Sequence, residues 1–502
     1  MQLSKDILPQ LTSETIVKPP AGVFSLPEKV LQFGTGVLLR GLPDYFIDKA
    51  NRKGVFNGRI VVVKSTDAGD ARAFDEQDGL YTLCIRGIED GKTIEENLVC
   101  SGISRVLSAK QQWSYVLHCA HNPEINVIIS NTTEVGIQLV QESIFQNPPV
   151  SFPAKLLAFL YERFKKLGEN GAAKLVVLPT ELLTDNGKKL QTIIVELARF
   201  NNLESAFFDW LNASVRFCNT LVDCIVPGKP NSEVQKDLEQ QFGYQDDLLT
   251  ISEVYRLWAI EGDEEIKGIL QFAETDKRVI ITPDITKFKE LKLRLLNGTH
   301  TLSCGLAFLA GISTVREAMA HPLFSGFISH LMLQEIAPAI PVAIPKDEAT
   351  AFGKQVLDRF RNPYLQHQWL SISMQYSSKM AQRVIPVLQC YVEQYKTVPQ
   401  YIALGFAAYL LFMKAVKKEG DAYWGEYNGN VYPIKDDQAG YYYEIWQQGS
   451  VQNVVKKVLS NERLWGGDMS QIAGFQKAVY QMVQAITQAG VLETIQSGML
   501  AV

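Results

Sequence analysis

The first half of the chain alternates short, nearly continuous apolar runs with segments whose apolar residues recur at helical spacing. KVLQF (29–33), RIVVVK (59–64), LYTLCIR (80–86) and INVIIS (125–130) are too uniformly apolar for strands with one wet face, and they predict strands buried on both sides. AKLVVLP (173–179) and RVIITP (278–283) continue the series. Between these runs, VLLRGLPDYFIDKANRKG and SAKQQWSYVLHCA carry the 3.6-residue period of amphipathic helices. Strands alternating with helices predict an α/β, doubly wound domain with a largely parallel sheet. After Pro283 the pattern changes. Helical periodicity dominates from about residue 286 onward, broken by HPL at 321, PAIPVAIPKD at 338, RNP at 361 and the polar stretch GEYNGNVYPIKDD at 425, with few strand-like runs. The expected boundary therefore lies near residue 285, giving a dinucleotide-type domain over 1–285 and a mostly α-helical domain over 286–502.

Bulk composition narrows the partners. In 502 residues, 46% are hydrophobic and 21% charged, which suits globular domains with sizeable cores. A net charge of −5 provides no general attraction to nucleic acid or anionic lipid, so a small-molecule substrate is expected. The seven cysteines form no C-x-x-C pair, and the six histidines form no H-x-x-x-H pair. Buried thiols in a reducing cytoplasm and a site without metal are the corresponding expectations. No stretch reaches the roughly 18 uninterrupted apolar residues of a membrane helix, so no membrane partner is expected.

Two segments carry candidate chemistry. The first is Phe33-Gly34-Thr35-Gly36-Val37, which follows the first predicted strand and opens a helix. In a dinucleotide site the first glycine permits the turn, the second lets a pyrophosphate approach the backbone, and the helix start offers unpaired N–H groups. The third glycine of G-x-G-x-x-G is replaced by Leu39, with Gly41 two residues beyond, so an ordinary strand–helix turn fits the bare motif equally well. At the end of the second strand, Lys64-Ser65-Thr66-Asp67 would meet the adenosine ribose, and Lys64 leaves NAD and NADP both open on chemistry alone. SNTTE (Ser130 to Glu134) ends the fourth strand with Asn131, Thr132 and Glu134 at the sheet edge where ligands bind; a capped loop is the plainer alternative.

The second segment is KELKLRLLNGTH, which sets Lys292, Asn297 and His300 among leucines. At about 100° per residue of α-helix they point to about 0°, 140° and 80°, on one side of the rod. A lysine desolvated in this way can exchange a proton with a hydroxyl or carbonyl oxygen, while Asn297 and His300 hydrogen-bond that oxygen. A snorkelling lysine and a satisfied histidine near a helix end remain the alternative.

The motif K-x-x-x-x-N-x-x-H, together with FGTGVLLRG, QDGLYT, SNTTE, CNTLVDCIVP and RFRNP in the same order, resembles the mannitol dehydrogenase family of long-chain polyol dehydrogenases. The resemblance implies a Rossmann-type first domain, a helical second domain, NAD as cofactor, no metal, and Lys292 as general acid/base with Asn297 and His300 positioning the reacting oxygen. It also implies substrate contacts at Asp223 and Lys379. Two polyol contacts of the family are replaced here by Leu182 and Ser371, which counts against mannitol as the substrate. NTTE, PTELL, CNTLVD and RFRNPY with His367 and Gln368 are most similar to the branch of the family that acts on hexuronates and their aldonates. A carboxylate in the substrate calls for a cation, for which Arg361 of RFRNP is the first candidate and Lys379 or Arg383 the second. The competing readings are a sister activity on another hexuronate or polyol, and a nucleotide-binding protein without catalysis.

Overall fold

The computed structural model describes residues 1–65, 71–132, 136–168 and 174–499. The chain divides into two compact units, Met1–Gly87 with Thr93–Ile285, and Ile88–Lys92 with Thr286–Val502.

The first unit is built on a six-stranded sheet. In chain order its strands are β1 (Glu28–Phe33), β2 (Arg59–Lys64), β3 (Ile103–Ser108), β4 (Val127–Ser130), β5 (Leu175–Pro179) and β6 (Val215–Phe217). They pair in the order β3-β2-β1-β4-β5-β6, every pair parallel. The apolar runs follow from burial on both faces. Leu31, Phe33, Val61, Val63, Ile128 and Val177 enter one core with the helices Phe152–Leu167 and Asn186–Phe200. Their neighbours Val30, Ile60, Val62, Ile129 and Val176 enter the opposite core with the helix Pro43–Arg52. Successive side chains thus alternate between two interiors, as the pleat requires. The doubly wound, Rossmann-type fold matches the expectation from sequence. The strand order reverses between β1 and β4, which makes their carboxyl ends the switch point where such sheets bind ligands.

Two predicted strands lie outside this sheet. LYTLCIR forms Tyr81–Glu89, which belongs with Lys92–Cys100 and Thr250–Glu253 in a separate three-stranded sheet. The two-residue turn Asp90-Gly91, with φ of 52° and 74°, returns the chain as a hairpin, whereas a parallel neighbour needs a long crossover. RVIITP forms Val279–Thr282, parallel to Leu257–Glu261 in a third sheet that also holds Thr220–Asp223. The third strand of the central sheet is β3, from ISRVLS, whose Ser104 and Arg105 are not buried.

The second unit is mostly helical. Its long rod runs as the α-helix Thr286–Leu291, the π-helix Lys292–Gly298 and the α-helix Thr299–Leu309. Two further π-helical stretches, Leu331–Ile336 and Met380–Val384, pack against the first. The polar stretch near residue 425 is a three-stranded antiparallel meander, Ala415–Glu419, Ala422–Tyr427 and Asn430–Ile434. Asn428 and Gly429, with φ of 50° and 79°, make its second turn, the strongest short hairpin signal a sequence carries. No helix among the described residues is long and apolar enough to cross a membrane.

Candidate functional site

A cleft of about 510 Å³ opens in the first unit at the carboxyl ends of β1 and β4. Gly34, Thr35, Gly36, Asn131 and Thr132 line it, as does Ser65 at the end of β2. Gly34 has φ of 127°, and a Cβ there would stand 3.0 Å from the Asn131 carbonyl oxygen and 3.0 Å from Leu39 Cδ1. Only glycine tolerates both the dihedral and the approach. Gly36 precedes the five-residue helix Val37–Gly41, which breaks at Leu42 before Pro43 starts the next helix. The close-packing role of a third motif glycine falls on Gly41, where a Cβ would lie 2.7 Å from Val226 Cγ2. Phe33 is fully buried and works through its backbone, its carbonyl accepting from Asn131 N at 3.1 Å.

The loop after β4 is held by the residues after β5. Asn131 Nδ2 donates to Thr180 Oγ1 at 3.0 Å, and Thr132 N and Oγ1 donate to Glu181 Oε1 at 2.8 and 3.0 Å. Ser130 Oγ donates to the other Glu181 oxygen at 3.1 Å. Burial raises the Glu181 carboxyl above its ordinary range, and these donors oppose that rise. Lys64 closes β2, where its carbonyl accepts from Ala109 N at 3.0 Å. Beside it, the buried Ser65 Oγ has no partner among the described residues. The glycine cradle and this orphaned hydroxyl fit a dinucleotide. Glu134, together with Thr66 and Asp67, lies outside the described residues.

In the second unit, Lys292 and Asn297 stand on the π-helical stretch and His300 in the first turn of the helix after it. The i→i+5 pattern turns the chain by less than the α-helical angle per residue. Asn297 therefore falls nearer the face of Lys292 than the about 140° of a regular α-helix would place it. Arg294 secures the stretch. It ion-pairs with Glu290 at 2.8 Å and donates to the carbonyls of Gln382 and Arg383 on a neighbouring π-helical turn.

Lys292 and Asn297 are partly exposed and His300 is buried. The His300 ring stacks on Phe360 at 4.2 Å and meets His367 edge-on at 5.2 Å. Burial, reinforced by His367, Arg359, Arg383 and Lys379, holds it well below the ordinary histidine range. The ring is consequently neutral near pH 7 and carries one donor and one acceptor nitrogen. Among the described residues neither its buried Nε2 nor the Asn297 side-chain amide has a hydrogen-bond partner.

The remaining candidates are placed as follows. Asp223 is buried at the end of the strand Thr220–Asp223 in the first unit. Lys379 is partly buried, with Nζ 2.8 Å from the Ile372 carbonyl, and its pKa is lowered by burial and then by Arg383. Arg361 caps the helix Lys346–Phe360, is exposed, and pairs with Asp358 at 3.3 Å. It makes no hydrogen bond to Lys292, Asn297 or His300. Leu182 is 62% exposed, and Ser371 is also exposed.

Comparison with known proteins matches residues 28–272 to the mannitol dehydrogenase Rossmann domain and residues 284–487 to the mannitol dehydrogenase C-terminal domain. An altronate oxidoreductase of Halalkalibacterium halodurans is 38% identical over 95% of this chain and 94% of that protein. The chain belongs to the mannitol dehydrogenase family. It is thus an oxidoreductase of the kind that acts on CH–OH groups. Altronate oxidoreductases of Bacillus subtilis and Pectobacterium carotovorum are similar as well, at 34% identity over 94% of this chain and 95% of theirs, and 36% over 94% and 96%. Among solved structures, the fold is shared with a substrate-free D-sorbitol dehydrogenase, at TM-score 0.80 and 19% identity over 99% of this chain and all of that one. It is also shared with the ternary complex of Pseudomonas fluorescens mannitol 2-dehydrogenase with NAD and D-mannitol, at TM-score 0.66 and 22% identity over the full length of both.

Within this mannitol dehydrogenase fold, several residues that shape the two regions are not marked as functional by the sequence. Glu181 could have been found as an acid directly after a buried strand, in PTELL. Ser65 stands in the stretch expected at the ribose, and Arg359 and His367 in motifs of the resemblance, but none of the three is singled out by sequence, because each depends on what packs against it.

Proposed function

We propose that the chain interconverts D-tagaturonate and D-altronate with NAD(H), by metal-independent hydride transfer with Lys292 as general acid/base. The observation that carries the chemistry is the pair of unpaired polar ends, the Asn297 amide and the buried Nε2 of neutral His300, on the rod that bears Lys292. The substrate is inferred from the altronate oxidoreductases, which resemble the chain over nearly its whole length. NAD is favoured because the solved mannitol 2-dehydrogenase of the same fold is a complex with NAD.

In this reading the segment 1–285 binds the dinucleotide and 286–502 presents the substrate. Gly34 and Gly36 admit the pyrophosphate, Ser65 and Lys64 face the ribose, and Asn131 and Thr132, steadied by Thr180 and Glu181, close the cleft. When bound, NADH supplies a hydride to the keto carbon. As the carbonyl electron pair moves onto oxygen, Asn297 and His300 hydrogen-bond that oxygen, and the Lys292 ammonium delivers the proton. In oxidation the neutral Lys292 amine takes the hydroxyl proton. Asp223 contributes to binding the hydroxyl groups of the sugar chain. The test is oxidation: D-altronate with NAD should form NADH, seen at 340 nm, with tagaturonate as the isolated product. No NADH formation from altronate would refute the assignment.

A further inference from the structure

The second unit gathers positive charge around His300. Arg359, Arg383 and Lys379 act on the ring as cations. Lys379 ends the short helix Tyr376–Lys379, and Arg383 lies in the π-helical turn that follows. Neither forms an ion pair among the described residues. Lys379 Nζ reaches a backbone carbonyl, and Arg383 Nη1 donates to Thr301 Oγ1 at 3.1 Å and, more weakly, to the Asn297 carbonyl at 3.5 Å. Asp436, whose field reaches Lys379, is committed to the backbone N–H groups of Ser377 and Gln438. Arg383 is therefore anchored by one nitrogen against the helical turn that carries Asn297 and His300. Its Nη2 and Nε make no hydrogen bond among the described residues.

Two part-buried, unpaired cations side by side repel each other, and such an arrangement is stable when an anion joins them. Free guanidinium nitrogens match a carboxylate in two-point geometry. Arg361, by contrast, is exposed and already holds Asp358. We infer that Arg383, with Lys379 beside it, binds the carboxylate of the substrate and sets the preference for a sugar acid over an uncharged sugar. This inference rests on the hexuronate reading above.

The test compares Arg383→Met, Arg383→Lys and Thr301→Val with the full-length wild type in NADH-dependent reduction of D-tagaturonate and of D-tagatose, which has CH2OH in place of the carboxylate. Arg383→Met should lower kcat/KM for tagaturonate about a hundredfold, mainly through KM, and erase the preference over tagatose. Arg383→Lys should recover at least tenfold. Thr301→Val removes the anchor but keeps the charge, and should retain the preference. Equal losses on both substrates in Arg383→Met, or a Thr301→Val enzyme that matches it, would reduce Arg383 to a prop for the Asn297 turn. A loss in Arg361→Ala with none in Arg383→Met would also overturn the inference. Failure of the hexuronate reading would appear in the wild type itself, as turnover of tagatose without turnover of tagaturonate.

Discussion

Gly34→Ala tests the cleft through a single methyl group. At φ of 127° the position lies outside the regions open to alanine, and backbone strain of that kind costs about 1–3 kcal/mol. The new Cβ would also meet two atoms at 3.0 Å, where relief requires movement toward about 3.4 Å. Leu39 can turn its side chain, but the Asn131 carbonyl belongs to the backbone, so the loop that walls the cleft must shift. Unfolding should move down by several degrees, and if the same 1–3 kcal/mol falls on the bound state, NADH affinity drops about 5- to 150-fold. Gly54→Ala is the control. Its φ of 67° is also left-handed, yet a Cβ there meets nothing within 4 Å, and it does not line the cleft. It should lose stability, by about 1–2 kcal/mol, with NADH affinity intact. The assay is NADH fluorescence titration alongside thermal unfolding of both variants. If Gly34→Ala binds NADH as the wild type does, or if both variants lose affinity equally, the turn at Gly34 does not shape the dinucleotide site.

Two further outcomes are expected. Lys292→Ala should lower kcat by about 10²–10⁴-fold while leaving NADH affinity near that of the wild type, because the cleft is built from other segments; retention of more than about a tenth of kcat would exclude Lys292 as the acid/base. Glu335 is buried with its oxygens on the backbone N–H groups of Tyr401 and Ile402, at 2.9 and 2.7 Å, and burial pushes its carboxyl up to about 7 from an ordinary 4.5. The folded protein therefore holds a proton that the unfolded chain releases above pH 4.5, so stability should fall as pH rises from 4.5 to 7, by at most about 3 kcal/mol, and level off above that window. Urea midpoints at pH 5 and pH 8 measure the drop, and Glu335→Gln should flatten it; an unchanged slope in the variant would assign the dependence to other groups.

Much of the architecture was legible because burial on both faces leaves a simple trace. Inside the runs of β1, β2, β4 and β5 only Gln32 interrupts the apolar residues, the other polar ones standing at the ends. The edge strand β3 was missed for the opposite reason, since Ser104 and Arg105 interrupt ISRVLS, and the more apolar LYTLCIR drew the assignment instead. In the second unit a meander with charged, exposed strands such as AVKKE resembled a loop, although Asn428-Gly429 marked its turn. The site motif was visible, but its geometry was not. Angular arguments assume 3.6 residues per turn, and the π-helical stretch that carries Lys292 and Asn297 departs from that period. The Arg383 environment is set by the carbonyl of Asn297 and the hydroxyl of Thr301, contacts across two elements far apart in sequence that no local pattern encodes.

D-Tagaturonate, rather than another hexuronate or a polyol-derived ketose, is the substrate expected of this chain. The most direct measurement is kcat/KM in the reductive direction, followed at 340 nm, for D-tagaturonate, D-fructuronate and D-fructose, with NADH and NADPH in parallel. The highest value is expected for tagaturonate with NADH, at least tenfold above either alternative sugar and above the same reaction with NADPH. A higher value for fructose or fructuronate, or for NADPH as cofactor, would contradict this expectation.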